Sequence, residues 1–222
     1  MTTRVLLVDD HKMVREGLRA ILEQDEAFSV VGEASGGREA VQLTQDLHPD
    51  VVVMDVAMGD LNGIEATRQI QSLVPGCAVV ALSSHSDRRY VMAILAAGAS
   101  GYVLKANAYE QLARGVRAAA RGMKYLSPDV TSEVIEAAFR EESLRGSVYE
   151  ILGPREREVL QLLAEGCSSV QIADRLGVSL STAETHRRNI MRKLDVHNVA
   201  DLTKYAIREG LTTLEASHAQ KS

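Results

Sequence analysis

Five side chains able to hold or accept a phosphoryl group stand at the ends of four short apolar runs. Val5–Val8 leads into Asp9 and Asp10, Val51–Met54 into Asp55, Ala78–Leu82 into Ser83, and Tyr102–Leu104 into Lys105. Three carboxylates brought together repel one another, and burial makes the repulsion worse. A hard divalent cation removes that conflict. Magnesium suits such a set, because it takes oxygen ligands and keeps several waters. A phosphate could then share the site, its oxygens held by Lys105 and the Ser83 hydroxyl. Asp55, central in the set, is the candidate nucleophile, and catalysis there would be mostly positioning and charge neutralisation. Taken singly, each residue reads more readily as a strand-end cap or a surface charge. Their shared position at the ends of successive runs favours the chemical reading.

The elements that must position them are legible in the hydrophobic pattern. Continuous apolar runs signal strands buried on both faces, as in a parallel sheet covered by helices. A weaker run, Phe28–Val31, is interrupted by Ser29 and fits an edge position. Between the runs lie stretches of helical spacing: Val14, Leu18 and Ile21; Val91, Ile94 and Leu95; Leu112, Val116 and Ala119. Strand and helix alternating five times predict a doubly wound α/β domain with a five-stranded parallel sheet, over residues 1–122. Functional groups gather beyond the carboxyl ends of the strands in such a sheet, where the five residues fall.

Beyond Ser127 the pattern changes. Pro128 suits the first turn of a helix, and Val130, Val134, Ile135, Ala138 and Phe139 make an amphipathic stretch ending at Arg140-Glu141-Glu142. Residues 143–153 read as a linker, so residues 123–150 form a connecting segment with an amphipathic helix. Residues 151–213 read as helices only. One starts at Pro154, with Glu156 and Glu158 near its positive end, and stops at Gly166. A short helix over Ser169–Leu176, a turn at Gly177-Val178-Ser179 and a longer helix over Leu180–Leu194 make a helix-turn-helix candidate. A last helix covers Val199–Glu209, and residues 214–222 are expected to be a flexible tail.

Bulk properties narrow the class. The net charge is −5, and residues 126–153 hold six acids against two bases. The longer helix of the candidate motif nevertheless carries Arg187, Arg188, Arg192 and Lys193 against Glu184 alone. Charge distribution, not the total, decides nucleic-acid binding. Cys77 and Cys167 lie far apart and outside any CxxC pair, which argues against a disulfide or zinc site. No apolar run can span a bilayer, and the apolar run near the N-terminus is too short for a signal peptide. A cytoplasmic protein that does not enter membranes is expected.

The stretches VLLVDDH, VVVMDVAM…NG, ALSSH and GASGYVLK resemble, in order and spacing, the receiver domain of two-component response regulators, over about residues 4–121. The resemblance implies a flavodoxin-like fold with Asp55 as phosphoacceptor, phosphorylated by a sensor histidine kinase. Asp10 and the Ala57 carbonyl would ligate Mg2+ with Asp55, and Asp9 would lie nearby. Ser83 and Lys105 would contact the phosphoryl group, Tyr102 would change rotamer on activation, and His85 would tune the phosphoryl lifetime. Two positions depart from the family pattern: Gly59 and Ala106 stand where proline is usual.

The stretch from Leu152 to Leu211 resembles the LuxR-type DNA-binding domain, and the two together resemble the NarL/FixJ type of response regulator. On the longer helix, Ala183, Ile190 and Leu194 share one face and Thr185, Arg188 and Arg192 another. The resemblance implies that this helix enters the major groove of double-stranded DNA. Thr182, Glu184, Thr185, Arg187, Arg188, Arg192 and Lys193 would contact DNA, with Glu184, Thr185 and Arg188 the readers of bases. Glu184 could instead pair with Arg188 along the helix. The last helix carries a stripe of Val199, Leu202, Tyr205 and Ala206, which either packs in the core or supports a homodimer. A transcription regulator is therefore expected, not an enzyme. An aspartate-nucleophile phosphatase would want a second acid two residues after Asp55, where Ala57 stands.

Overall fold

In the computed structural model, the residues described are 2–84, 87–131, 134 and 148–212. They fall into two compact units, residues 1–142 and 143–222. His85, the stretch from Ile135 to Glu142 and the tail at 214–222 lie outside the described residues.

The first unit alternates strand and helix: β1 (Thr3–Val8), α1 (Lys12–Leu22), β2 (Phe28–Ala34), α2 (Gly37–Leu47), β3 (Val51–Asp55), α3 (Gly63–Leu73), β4 (Ala78–Ser83), α4 (Arg88–Ala96), β5 (Gly101–Leu104), α5 (Ala108–Ala119) and β6 (Tyr125–Leu126). Every strand pairing is parallel, and the order is β2-β1-β3-β4-β5-β6. Successive residues of a strand point to opposite faces, and the two cores follow that alternation. Val5, Leu7, Val51, Val53, Val80 and Leu82 pack with Leu18 and Leu22 of α1 and Leu112 and Val116 of α5. Leu6, Val8, Val52, Met54 and Val79 pack on the other face with Ala40 of α2 and Ala66 and Ile70 of α3. Both faces are apolar because both are covered, which is why β1 and β3 read as unbroken runs.

The expected five strands are six. After α5 the chain returns along the free side of β5: Tyr125 N donates to Ser100 O and Ser127 N to Tyr102 O, each at 2.9 Å. Two residues suffice to satisfy that edge, too few to leave a periodic signal. β2 is the opposite edge, as its weaker run implied.

The second unit is helical: α6 (Val148–Ile151), α7 (Pro154–Ala164), α8 (Ser169–Leu176), α9 (Leu180–Leu194) and α10 (Val199–Arg208). The segment read as linker through residue 153 is in part core, since Val148 and Leu152 are buried among Val159, Leu160, Leu163 and Leu202. Ser168 and Ser179 cap α8 and α9, accepting from Gln171 N at 3.3 Å and Thr182 N at 3.1 Å. Between these helices Gly177 adopts a left-handed conformation, φ 63°, which glycine enters without steric cost. No described helix is long and apolar enough to cross a membrane.

Candidate functional site

The carboxyl edge of the sheet brings together all five residues that end the strong runs. Asp9 and Asp55 are buried side by side, and one ammonium serves both. Lys105 Nζ lies 2.7 Å from Asp9 Oδ2 and 2.8 Å from Asp55 Oδ2. Ala57 N donates to Asp55 Oδ1 at 3.2 Å. Ser83, fully buried at the end of β4, is hydrogen-bonded to the hydroxyl of Tyr102, itself fully buried on β5. Burial also pushes the Tyr102 hydroxyl above its ordinary pKa.

The electrostatics follow from two buried acids sharing one cation. Burial raises the Asp55 carboxyl to about 6; Lys105 opposes the rise and Asp9 adds to it. Burial works to lower the Lys105 ammonium, but Asp55 and Asp9 outweigh it and hold Lys105 above its usual value. Asp10 is more exposed, and His11 Nδ1 lies 2.7 Å from its Oδ1. Ligand atoms of Asp9, Asp10, His11 and Asp55 all lie within 4.8 Å of one another. The donor set is rich in oxygen and short of positive charge, so its chemistry fits a hard divalent cation. Sequence reasoning passed over His11; its place directly after two strand-end acids was the available signal.

It also passed over the residue that makes room for Asp55. A Cβ on Gly63, the first residue of α3, would lie 2.0 Å from the Asp55 carbonyl oxygen. Gly63 N donates to Val56 O at 3.0 Å, and Asn62 caps α3 by accepting from Glu65 N at 2.9 Å. The helix thus starts directly against the end of β3. Gly59 has no such neighbour: a Cβ there meets nothing within 4 Å. At the other departure from the family pattern, Lys105–Asn107 form a 3-10 turn. No cis peptide bond occurs among the described residues.

In the second unit α9 divides its faces as the spacing implied. Ala183 and Ile190 are buried, while Glu184, Thr185, Arg188, Arg192 and Lys193 are exposed. Thr182 and Arg187 are half-buried, and the Thr182 hydroxyl sits 2.8 Å from the capping Ser179 Oγ. Glu184 makes no ion pair with Arg188, which instead donates to Thr185 Oγ1 at 3.2 Å. Arg192 donates to Asn189 Oδ1 at 3.3 Å. Lys193 is engaged within the domain, with Nζ 2.6 Å from Glu156 Oε2. That oxygen also accepts from Gly153 N at 2.9 Å, so Glu156 ties the end of α9 to the start of α7. Burial raises the Glu156 carboxyl, but Lys193 and the Gly153 N–H outweigh it, and the net shift is downward.

Of the two readings of the stripe on α10, core packing describes two of its residues. Leu202 and Ala206 are wholly buried in the domain's own core, and Tyr205 packs against it. Neither Leu202 nor Ala206 is available to a second chain; only Val199 of the four is exposed.

With this geometry in view, comparison with known proteins assigns the class. Residues 5–117 match the response regulator receiver domain family, and residues 150–206 match the family of bacterial regulatory proteins, luxR family. The chain belongs to the response regulators that join a receiver domain to a LuxR-type DNA-binding domain, a class of transcription regulators rather than enzymes. It is similar to the transcriptional regulatory protein LiaR of Bacillus subtilis, at 39% identity over 94% of this chain and 98% of that protein. It is 36% identical to the response regulator protein VraR of Staphylococcus aureus, over 95% of this chain and 99% of that protein. Among solved structures it resembles RcsB of Salmonella enterica serovar Typhimurium bound to promoter rprA with a phosphomimetic. That likeness has a TM-score of 0.62 and 27% identity, over 92% of this chain and 98% of that one.

Proposed function

We propose that a sensor histidine kinase phosphorylates Asp55, and that this controls sequence-specific binding of α9 to DNA and hence transcription. The observation that carries the reading is the Asp55 carboxylate, buried at the sheet edge, where it shares the Lys105 ammonium with Asp9. Burial pushes the Asp55 carboxyl up to about 6, and the Lys105 ammonium opposes that rise and favours the carboxylate that attack requires. One of its oxygens bonds to phosphorus as the bond from phosphorus to the kinase histidine nitrogen breaks. Ala57 N fixes the orientation of the carboxylate, and Lys105 exchanges its hold on Asp55 for a phosphoryl oxygen. The Ser83 hydroxyl contacts another oxygen, and Tyr102 follows Ser83 through their hydrogen bond. Asp9, Asp10 and Asp55, with the Ala57 carbonyl, would hold magnesium, which when bound supplies positive charge to the phosphoryl oxygens.

Phosphorylation adds negative charge and acceptor oxygens to an acidic pocket, and the surface around β4 and β5 repacks. The DNA-binding unit is thereby released or brought into a homodimer. On double-stranded DNA, Glu184, Thr185 and Arg188 face base edges, and Arg187 and Arg192 hold phosphates. Two such helices one turn of DNA apart would read paired half-sites. These events belong to the cytoplasm, where kinase and DNA are both in reach.

Labelling with acetyl phosphate and Mg2+ tests the reading. Wild type is expected to take up stable phosphate, and Asp55→Ala none. No labelling of wild type would instead favour a receiver that works without phosphorylation. Rapid turnover of many phosphate esters would favour a phosphatase.

A further inference from the structure

Asp9 is held by its main chain as firmly as by its side chain. Its N–H donates to Ala34 O at 3.2 Å, its Oδ1 accepts from His11 N at 2.9 Å, and its Oδ2 lies 2.7 Å from Lys105 Nζ. Its carbonyl, just beyond β1, accepts from Arg15 Nη1 at 2.6 Å. Arg15 stands one turn into α1, and its side chain is only 13% exposed. Its Nε donates to Glu33 Oε2 on β2 at 3.1 Å. Arg19 Nη2 lies 2.7 Å from the other Glu33 oxygen. One guanidinium therefore ties α1 to the end of β1 and to the edge strand.

The Asp9 carbonyl and the Asp10 N–H belong to one planar peptide. Holding the carbonyl holds the plane through which the chain enters Asp10. The Asp10 side chain lies against His11, itself an exposed residue, so the direction of Asp10 depends chiefly on its backbone. Among the described residues, the bond from Arg15 is the one hydrogen bond made by the Asp9 carbonyl. A buried acceptor that loses its donor turns to find another, and this peptide would turn with it.

We propose that Arg15 is a positioning residue for the cation site. Through the Asp9 carbonyl it sets the Asp9–Asp10 peptide so that both carboxylates converge with Asp55. The inference rests on reading the acid cluster as a magnesium site. Arg15 acts by geometry and not by charge, because its charge is balanced where it stands: Glu33 and Glu23 together face Arg15 and Arg19. The two roles differ in sign: removing a nearby positive charge would tighten cation binding, whereas removing a positioning contact loosens it.

Calorimetric titration of the full chain with Mg2+ alone separates them. Arg15→Ala is expected to weaken Mg2+ binding by about tenfold, the scale for loss of a partner that orients a ligand. Arg15→Lys keeps a donor within reach of the carbonyl and is expected to recover most of the affinity. In phosphorylation by acetyl phosphate, the Mg2+ concentration for half-maximal rate is expected to rise in Arg15→Ala, with the rate at saturating Mg2+ little changed. Unchanged or tighter Mg2+ binding by Arg15→Ala would overturn the proposal, as would a Lys variant that binds Mg2+ no better than Ala. Asp10→Asn is the control. If it too leaves Mg2+ affinity unchanged, the magnesium reading itself fails.

Discussion

Asp9 and Asp55 carry their charges where water is excluded, whereas Arg188 and Arg192 carry theirs in it. The consequences differ in kind. In the receiver unit Asp9 and Asp55 share one ammonium within about 3 Å, and the pKa values of Asp55 and Lys105 depart from the ordinary ones. On α9 the guanidinium groups touch neutral oxygens of their own helix and stay available to a partner. A buried site is organised before its ligand arrives, and its organisation is costly to disturb. An exposed site keeps its free energy for binding and loses little stability when altered.

The comparison is tested most severely at Gly63. A methyl group there would meet the Asp55 carbonyl oxygen at 2.0 Å, too close for side-chain adjustment. Gly63→Ala is expected to destabilise the receiver unit by more than about 4 kcal/mol. Urea titration read on the backbone NMR signals of each unit would show it, with α7–α10 unaffected. A receiver of normal stability would mean that α3 can shift away from β3, and the site is less fixed than the contrast requires.

The second test is pH. Asp55 is raised from 3.8 to about 6 in the folded unit, first of all by burial. Between those values the folded state binds more protons than the unfolded chain, so stability rises as pH falls. The gain from pH 7 to pH 5 is expected to be on the order of 1 kcal/mol, and Asp55→Ala should abolish it. Glu156 is shifted the other way. Its contribution to the second unit is complete above the unfolded value of 4.5 and is lost as pH falls through its lower folded value. From pH 7 to pH 5 the receiver should therefore strengthen while the DNA-binding unit holds level. Parallel behaviour of the two units would break the distinction.

The same division separates what the sequence disclosed from what it hid. The acidic pocket was legible because apolar strands ending in charges can be read one at a time, and parallel topology puts their ends together. The faces of α9 were legible from helical period. Three features were not. β6 is two residues long and is defined by the edge it joins. Gly63 reads as part of an ordinary turn, since what forbids a side chain there is the Asp55 carbonyl, distant until the chain folds. The stripe of Leu202, Tyr205 and Ala206 marks an apolar face truly, but period alone does not say whether that face meets its own domain or another chain.

Smaller effects are expected on α9, and they should differ among neighbours. Arg188→Ala should lose about 1–3 kcal/mol of discrimination at one base pair. Arg192→Ala should weaken binding to all sequences alike and flatten the salt dependence by about one charge. Lys193→Ala should act mainly on stability, because it leaves Glu156 buried at the start of α7 without its cation. Salt-dependent binding isotherms and urea titration on the same three variants would separate these outcomes. A Lys193→Ala domain of normal stability but altered salt slope would return Lys193 to the DNA contacts.

The smallest effect is expected at Gly59. Proline is usual there in the family, and the open space around a Cβ leaves no steric reason for glycine. Among the described backbone hydrogen bonds outside regular elements, Gly59 contributes its carbonyl, to Leu61 N at 3.0 Å, and not its N–H. Gly59→Pro therefore removes no bond, and it lowers the freedom of the unfolded loop, a gain of at most about 1 kcal/mol. The extent of phosphorylation by acetyl phosphate should stay at the wild-type level, because no group of the pocket is removed. The rate of phosphoryl loss is where a stiffer loop beside Met58 and Asp60 would register. If loop dynamics, phosphoryl half-life and stability are all unchanged, residue 59 lies outside the organised part of the site, and the boundary between the buried and the solvated regime falls between Met58 and Gly59.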